Sequence, residues 1–223
     1  MAIISLLLLD LDGVVVYEMA PPEVQKMELI LLHDLLVDAL QALDVPVVVL
    51  THRSRAEAAV ILGSAGLANG VAGIMAAEDI LSAAFTYGTP WQLLRKGLRK
   101  SWALPAIERQ YRVDRKNIAF IDDRLDNIKD LVGNGVGIAL HAPSGINGDG
   151  GLISFDFRQA VRMLQEWNGD RTIPILSVAS RTLPESEWSR TGISTGTLTM
   201  SPFNQARRYG RSLRKLLWRR PAV

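Results

Sequence analysis

Short apolar runs alternate with longer segments of helical periodicity along most of this chain. The runs are rich in Val, Ile and Leu, as is typical of strands buried on both faces of a parallel sheet. Between them, apolar residues recur at spacings of three and four, which indicates helices that pack on that sheet. The predicted strands are Ile3–Leu9, Val45–Leu50, Gly73–Ala76, Asn117–Ile121 and Val136–Leu140. The predicted helices are Met27–Leu43, Ser54–Leu62, Leu125–Val132 and Phe157–Trp167, with further helical segments between Ile80 and Tyr111.

This alternation predicts an α/β fold, a Rossmann-like doubly wound parallel sheet of about five strands. We expect Val14–Tyr17 to form a short extended excursion and Ser144–Gly151 to form a glycine-rich loop. The sheet domain is expected to cover residues 1–167. Ser, Thr, Gly and Pro dominate residues 168–202, which predicts an irregular linker ahead of a basic tail at 203–223.

Length and composition agree with a folded domain. The 223 residues are 48% hydrophobic and 22% charged, which excludes a disordered or collagen-like protein. Because the chain has no Cys, disulfides, thiolate metal sites and Cys nucleophiles are excluded. No stretch approaches the roughly 20 apolar residues that a membrane-spanning helix needs. We therefore expect a soluble protein, and because the absence of Cys fits a reducing compartment, we expect a cytoplasmic one.

The formal net charge of +2 conceals an acidic body and a basic tail. From Trp188 onward there are eight Lys and Arg residues and no Asp or Glu, so the preceding part carries 17 basic against 23 acidic residues. Apolar positions in the tail recur at spacings of three and four, which predicts a helix with an apolar stripe flanked by Arg. Such a helix could contact an anionic membrane, a nucleic acid or the acidic body, and the alternative is a solvated, disordered terminus. The stripe consists of Phe203, Ala206, Gly210, Leu213 and Leu217.

Polar side chains stand where three of the apolar runs stop. Asp10 and Asp12 follow the first strand, Thr51 follows the second, and Asp122 and Asp123 follow the fourth. In a doubly wound sheet these strand ends meet at one edge. Each residue alone could be a turn former or a helix cap, but carboxylates gathered at one edge repel one another unless a cation lies between them. Oxygen ligands without His or Cys favour Mg²⁺.

The order of these residues resembles the four motifs of the haloacid dehalogenase (HAD) superfamily. The resemblance covers roughly Ile3 to Trp167 and implies an HAD-like core and a Mg²⁺-dependent phosphatase that hydrolyses a phosphomonoester through an aspartyl phosphate. The alternatives are a phosphotransferase or phosphomutase with the same intermediate, or a low-turnover binding or regulatory protein that acts through its basic tail. The resembling segments are Asp10-Leu11-Asp12-Gly13-Val14, Thr51 after an apolar run, a Lys, and Phe120-Ile121-Asp122-Asp123-Arg124-Leu125-Asp126-Asn127.

The resemblance also implies roles for individual side chains. Asp10 would attack the phosphorus, and Asp12 would protonate the leaving oxygen and later activate water. Thr51 would hydrogen-bond a phosphoryl oxygen. His52 and Arg53 follow Thr51 and could touch the substrate, although polarity at a helix start explains them about as well.

A metal site follows from the same resemblance. Asp123 would hold Mg²⁺ together with Asp10 and the backbone carbonyl of Asp12. Asp122 or Asn127 would supply a further ligand, either directly or through water.

The third motif of the family supplies a Lys that steadies the charges of the nucleophile and the phosphate. Lys100 has the best spacing to Asp123, and Lys96 lies one helical turn earlier. For either residue the alternative is a solvated Lys on a helix surface. Lys116 stands too near the start of the fourth strand and is expected to be solvated.

Many family members close the site with a cap domain. The segments from Gly13 to Pro22 and from Ile80 to Ser101 are too short for one, so the resemblance implies a member without a large cap. Such an open site could admit a phosphate carried on a bulky molecule. A partner subunit or the C-terminal segment of the chain itself could still cover the site.

Overall fold

Strands and helices alternate through residues 4–19, 28–32, 36–169, 172 and 174–194, which the computed structural model describes. The strands are β1 (Leu6–Leu9), β2 (Val16–Met19), β3 (Glu28–Leu31), β4 (Val47–Leu50), β5 (Gly73–Met75), β6 (Ile118–Asp122), β7 (Ile138–His141), β8 (Gly145–Ile146), β9 (Leu152–Phe155), β10 (Ile175–Ser177), β11 (Ser180–Leu183) and β12 (Ser189–Ser194). The helices are α1 (Leu36–Gln41), α2 (Arg55–Ser64), α3 (Ala77–Tyr87), α4 (Pro90–Lys96), α5 (Leu104–Tyr111), α6 (Leu125–Gly133) and α7 (Phe157–Glu166). Short 3₁₀ turns cover Lys100–Ala103, Arg115–Asn117 and Glu185–Glu187.

Six of the strands form one parallel sheet in the order β10-β7-β6-β1-β4-β5. Leu7 of β1 lies opposite Val47 of β4 on one side and opposite Ala119 of β6 on the other. The chain fills the β4 side first and then the β6 side, and this reversal creates a crevice beyond the carboxyl end of β1. The predicted α/β, doubly wound fold is confirmed, with six strands in place of about five. The additional strand is β10, at the edge of the sheet.

Alternate residues of the central strands pack on opposite faces of the sheet. Leu7 and Leu9 face a core that includes residues of α1, α2 and α7, whereas Leu6 and Leu8 face one that includes residues of α3, α5 and α6. Because helices cover both faces, every residue of β1, β4 and β6 is buried. This two-sided burial explains why the runs in the sequence lack polar positions.

Two small antiparallel sheets lie beside the central one. The first has the order β12-β3-β2, with Ile30 of β3 opposite both Tyr17 of β2 and Arg190 of β12. The second has the order β11-β9-β8. A small apolar cluster joins the two sheets, because it takes Ile30 and Leu32 from one side and Leu152 and Leu183 from the other.

The prediction of one helix over Met27–Leu43 is wrong. Residues Glu28–Leu31 form β3, and α1 begins only at Leu36. The apolar spacing in this segment fits a helix, but β3 is paired on one edge with β2 and on the other with β12, so tertiary pairing overrides the local pattern.

The prediction of an irregular linker over residues 168–202 is wrong for residues 174–194. There β10 extends the main sheet beside β7, β11 pairs with β9, and β12 pairs with β3. Ser and Thr are common in turns, so this composition favoured an irregular segment. Here they instead occupy exposed positions of short strands. Residues 195–202 and the predicted basic tail, 203–223, lie outside the described residues.

The predicted loop over Ser144–Gly151 contains the two-residue strand β8. The extended excursion predicted at Val14–Tyr17 is found only in part, because β2 begins at Val16 and residues 14 and 15 form a turn. Within the described part of the chain there is no large cap domain over the sheet edge. In that same part, no helix is long and apolar enough to cross a membrane.

Candidate active site

Side chains from three neighbouring strand ends meet at the carboxyl edge of the central sheet. Asp10 follows β1, Thr51 follows β4, and Asp122 is the last residue of β6. A cavity of about 280 Å³ opens at this edge. Its wall includes five of the predicted site residues, Asp10, Asp12, Lys100, Asp123 and Asn127. The rest of the wall is formed by Gly13, Tyr17, Glu18, His52 and Arg124.

Lys100 bridges two buried carboxylates. Its Nζ lies 2.7 Å from Asp10 Oδ1 and 2.7 Å from Asp122 Oδ2, and the residue is only 2% exposed. Burial by itself lowers the pKa of Lys100, but the charges of Asp10 and Asp122 outweigh it and raise the pKa above its usual value. The Lys100 ammonium therefore stands between the two carboxyl groups, within hydrogen-bond distance of both.

The other two candidate lysines lie elsewhere. Lys96 is exposed on α4, with Nζ 5.9 Å from the centre of the Trp102 ring. Lys116 pairs at the surface with Asp114 at 2.8 Å. Of the three, Lys100 is the one that the fold brings to the carboxylates.

Asp122 is fully buried and uses both carboxylate oxygens on protein neighbours. Its Oδ1 accepts a hydrogen bond from the backbone N of Arg124 at 2.7 Å, and Oδ2 is the oxygen paired with Lys100. Asn127 Nδ2 donates to both oxygens, at 3.1 and 2.9 Å. These contacts make Asp122 the group that orients Lys100 and anchors the start of α6.

Asp123 lines the cavity with a carboxylate that few protein groups stabilise. Ser144 Oγ donates to its Oδ2 at 3.4 Å, and His141 Nε2 donates to its backbone carbonyl at 3.0 Å. Burial, followed by the charge of Asp122, raises the pKa of Asp123 to about 6. The same two causes raise the pKa of Asp10 well above its usual value. The negative charge at this edge is thus incompletely balanced by Lys100.

The donor set fits a hard divalent cation. Asp10, Asp122 and Asp123 each offer a carboxylate oxygen, and these oxygens lie within 4.8 Å of one another. Mg²⁺ prefers oxygen ligands of this kind, and a dication would neutralise the charge that raises the two pKa values. Because Asp122 is already saturated by hydrogen bonds, Asp10 and Asp123 are the carboxylates better placed to bind a metal directly.

Gly13 allows the loop after β1 to pass close to Asp123. Its φ of +79° is a conformation that side-chain-bearing residues rarely adopt. A Cβ at this position would overlap the Asp123 carboxylate and would lie 2.7 Å from Ser144 Oγ. Glycine is therefore needed here for both conformation and space.

Arg53 holds the carboxylate of Asp12. Its Nε donates to Asp12 Oδ1 at 2.8 Å and to Oδ2 at 3.0 Å, and its Nη2 donates to Oδ1 at 2.6 Å. The same Nη2 lies 3.3 Å from Glu18 Oε2. The Arg53 side chain is 7% exposed and that of Asp12 is 43% exposed. The guanidinium is thus fixed in the protein while the carboxylate it holds faces solvent.

The turn between β4 and α2 sets the positions of Thr51 and Arg53. Thr51 is fully buried, and its Oγ1 accepts a hydrogen bond from the backbone N of Arg53 at 3.1 Å. Ser54 and Glu57 then form a capping box that begins α2. Since Thr51 Oγ1 already accepts a bond, the proton of this hydroxyl is left to donate.

Tyr17 and Glu18 are site residues to which sequence reasoning assigned no role, and Arg53 was considered only as a possible substrate contact, not as a partner of Asp12. Arg53 carried a signal, because it lies two residues after Thr51 in the turn that leaves a site strand. Tyr17 and Glu18 carried none, because they stand on β2, whose partner β3 had the pattern of a helix.

Comparison with solved structures gives partial likenesses at low identity. One is the 3-deoxy-D-manno-octulosonate 8-phosphate phosphatase of Moraxella catarrhalis, crystallised with magnesium, phosphate and KDO (19% identity, TM-score 0.41, 62% of this chain and 68% of that chain). A second is the phosphatase of the same name from Yersinia pestis (15%, TM-score 0.39, 63% and 64%). A third is the haloacid dehalogenase-like hydrolase SP0104 of Streptococcus pneumoniae (13%, TM-score 0.45, 79% and 95%).

The match spans less than two thirds of the Yersinia protein. All three TM-scores lie below 0.5, so these likenesses carry no weight for the activity of this chain. No protein-family model and no curated protein sequence matches the chain.

Proposed function

We propose that this chain is a Mg²⁺-dependent phosphatase of the haloacid dehalogenase type that hydrolyses a phosphomonoester through an aspartyl phosphate on Asp10. One observation carries the proposal. Asp10, paired with a buried Lys100, lines the same cavity as a second carboxylate two residues later, that of Asp12, and a third, that of Asp123. A nucleophile, an acid and base, and a charged anchor for the phosphate are thereby within reach of one small ligand.

Asp10 is the nucleophile in this mechanism. Both contacts that described residues make to its carboxylate, from Leu11 N at 2.7 Å and from Lys100 at 2.7 Å, fall on Oδ1. Oδ2 is therefore the oxygen that attacks phosphorus. As the Asp10 oxygen bonds to phosphorus, the bond from phosphorus to the leaving oxygen breaks, and that oxygen takes a proton from Asp12.

The second step releases phosphate. Asp12, now a carboxylate, takes a proton from a water molecule as the water oxygen attacks phosphorus, and the bond to Asp10 breaks. Thr51 donates its hydroxyl proton to a phosphoryl oxygen, and the Lys100 ammonium offsets the charge on Asp10 and the phosphoryl group. Positioning and charge neutralisation are the main requirements of phosphoryl transfer.

Asp10, Asp123 and the backbone carbonyl of Asp12 would hold the metal. When bound, Mg²⁺ supplies positive charge that draws the phosphoryl group and the Asp10 carboxylate together. Asp122 and Asn127 support this set from behind, through the hydrogen bonds to Lys100 and to each other.

The cavity suits the phosphate group and a small part of the molecule that carries it. About 280 Å³ is near the lower end of the range for ligand pockets, and the described residues include no large cap over it. We therefore propose a substrate whose phosphate enters the cavity while the rest of the molecule extends outside.

The nucleophile is tested by Asp10→Asn, which keeps the shape of the side chain and removes its charge. Turnover of phosphomonoesters in Mg²⁺ should fall by roughly three orders of magnitude or more, in line with the loss of a covalent nucleophile. Asp114→Asn is the matched control, because Asp114 forms a surface ion pair with Lys116. Its turnover should equal that of the wild type.

The intermediate is tested with Asp12→Asn. With a good leaving group, which hardly needs a proton, Asp10 can still be phosphorylated, but water is no longer activated. Label from a radioactive donor should accumulate on the protein after rapid quenching, and mass spectrometry should place it on Asp10. Absence of label in single-turnover experiments, or full activity in excess chelator, would show that the mechanism is different.

A further inference from the structure

We infer that Arg53 is a positioning residue that aims the carboxyl group of Asp12 at the leaving oxygen, and that Glu18 holds Arg53 in place from the neighbouring sheet. The inference rests on the proposed function, because it assigns a role relative to the acid and base of that mechanism. It concerns a residue that none of the predicted motifs includes.

The geometry of the contact fixes the orientation of Asp12. Three donor–acceptor distances between the two side chains lie between 2.6 and 3.0 Å, and two of them fall on Oδ1. A planar guanidinium that meets a carboxylate through two nitrogens sets the plane of the carboxylate as well as its distance. Oδ2 receives one contact, at 3.0 Å, so it is the oxygen left to exchange a proton with the substrate or with water.

Asp12 needs such a support because its side chain is 43% exposed and stands in a loop. An exposed Asp samples several rotamers, and each unproductive rotamer lowers the fraction of molecules ready for proton transfer. The Arg53 side chain is 7% exposed, and its backbone is tied to Thr51 Oγ1 at 3.1 Å. The buried Arg53 side chain thus restrains the exposed side chain of Asp12.

Glu18 provides the second anchor. Its Oε2 lies 3.3 Å from Arg53 Nη2, the same nitrogen that is 2.6 Å from Asp12 Oδ1. Glu18 stands on β2, which pairs with β3 and not with the central sheet. The guanidinium therefore connects the loop after β1 with the small sheet that forms one side of the cavity.

If Arg53 positions Asp12 for proton donation, the loss of kcat/KM on replacing Arg53 should depend on the leaving group of the ester. Proton donation matters most when the leaving oxygen is strongly basic, as in phenyl phosphate, and least when it is weakly basic, as in 2,4-dinitrophenyl phosphate. The value of kcat/KM covers the steps through cleavage of the ester bond, so it reports this proton transfer whichever step limits kcat. A purely structural Arg would affect both esters equally.

The experiment compares wild type, Arg53→Ala, Arg53→Lys and Glu18→Gln on these two esters in Mg²⁺, with circular dichroism to verify folding. For Arg53→Ala, kcat/KM for phenyl phosphate should fall about 100-fold, and that for the dinitrophenyl ester about 10-fold or less. Arg53→Lys and Glu18→Gln should show the same selectivity with smaller losses. Guanidinium chloride at millimolar concentration should restore part of the phenyl phosphate activity of Arg53→Ala.

Arg55→Ala is the matched control, because Arg55 is an exposed neighbour that pairs with Asp79 at 2.6 Å. It should leave both rates unchanged. Equal losses on both esters, or losses no larger than those of Arg55→Ala, would overturn the role of Arg53 while leaving the proposed function standing. If Arg53→Ala does not fold, the same comparison is decided by Arg53→Lys and Glu18→Gln. A wild-type protein that hydrolyses neither ester would instead overturn the proposed function.

Discussion

Lys100 and Asp122 form an ion pair that is closed off from solvent, with 2.7 Å between Nζ and Oδ2 and side-chain exposures of 1% and 0%. Removing charges from water costs several kcal/mol per ion, so such a pair persists only when both partners are present. Asp10 shares the same ammonium, so the loss of Lys100 would leave two buried carboxylates facing each other.

Lys100→Met should therefore destabilise the protein strongly. Breaking a buried pair costs roughly 3–5 kcal/mol, which lowers the Tm of a chain of this size by about 10 °C. Lys96→Met makes the same change on the exposed surface of α4 and should shift the Tm by little. Thermal unfolding followed by circular dichroism makes the comparison.

A double variant separates stability from activity. Combining Lys100→Met with Asp122→Asn removes one of the stranded charges, so part of the lost Tm should return while turnover stays low. If the single and double variants melt at the same temperature, the unpaired Asp122 carboxylate is not what destabilises Lys100→Met.

Gly13→Ala should weaken metal binding. The new Cβ would displace the Asp123 carboxylate, so Mg²⁺ affinity measured by calorimetry should fall at least about 10-fold, with a lower Tm as well. Gly63→Ala is the control, because Gly63 lies in α2 with no atom within 4 Å of the added methyl group. Ala is the better helix former, so this variant should be as stable as the wild type or slightly more stable. Unchanged Mg²⁺ affinity in Gly13→Ala would place the metal away from Asp123.

The metal-free protein should lose stability as the pH rises from about 4 to about 7. Asp123 has a pKa of about 6 in the fold against an ordinary value of 3.8, so between these values the folded state holds a proton that the unfolded state has released. Stability that depends on such a proton is present at low pH and lost as the pH passes the folded pKa.

Asp123→Asn removes this titration. In chelator, its Tm should exceed that of the wild type at pH 8 and approach it near pH 4. Adding Mg²⁺ at pH 8 should raise the Tm of the wild type more than that of the variant, because only the wild type offers the carboxylate. Parallel curves of Tm against pH for the two proteins would contradict the raised pKa.

Asp10 and Asp123 could be predicted from the sequence because each stands where a fully apolar run ends. Such runs arise only when both faces of a strand are covered, and parallel strands bring their carboxyl ends to one edge. The spacing to Asp123 favoured Lys100 as the lysine of the site. In the fold Lys100 is buried beside Asp10 and Asp122.

Glu18 and the strand β3 could not be predicted in the same way. The segment that contains β3 has the apolar spacing of a helix, and one of its two partner strands, β12, lies at the far end of the described chain. Pairing between such distant segments leaves no local pattern in either of them. The contact of Arg53 with Asp12 joins two loops whose residues are 41 positions apart in the chain, so no local pattern indicates it.

The pairing of β3 with β12 joins an early and a late segment of the chain, which has a consequence for the growing polypeptide. The segment Glu28–Leu31 leaves the ribosome early, together with β2, whereas Ser189–Ser194 emerges after every strand of the central sheet. Domains form from the N-terminus as the chain grows, so until then the outer edge of β3 has no partner, and an open edge is a template for another chain. We therefore expect chains that end before Ser189 to pair with one another through this edge of β3.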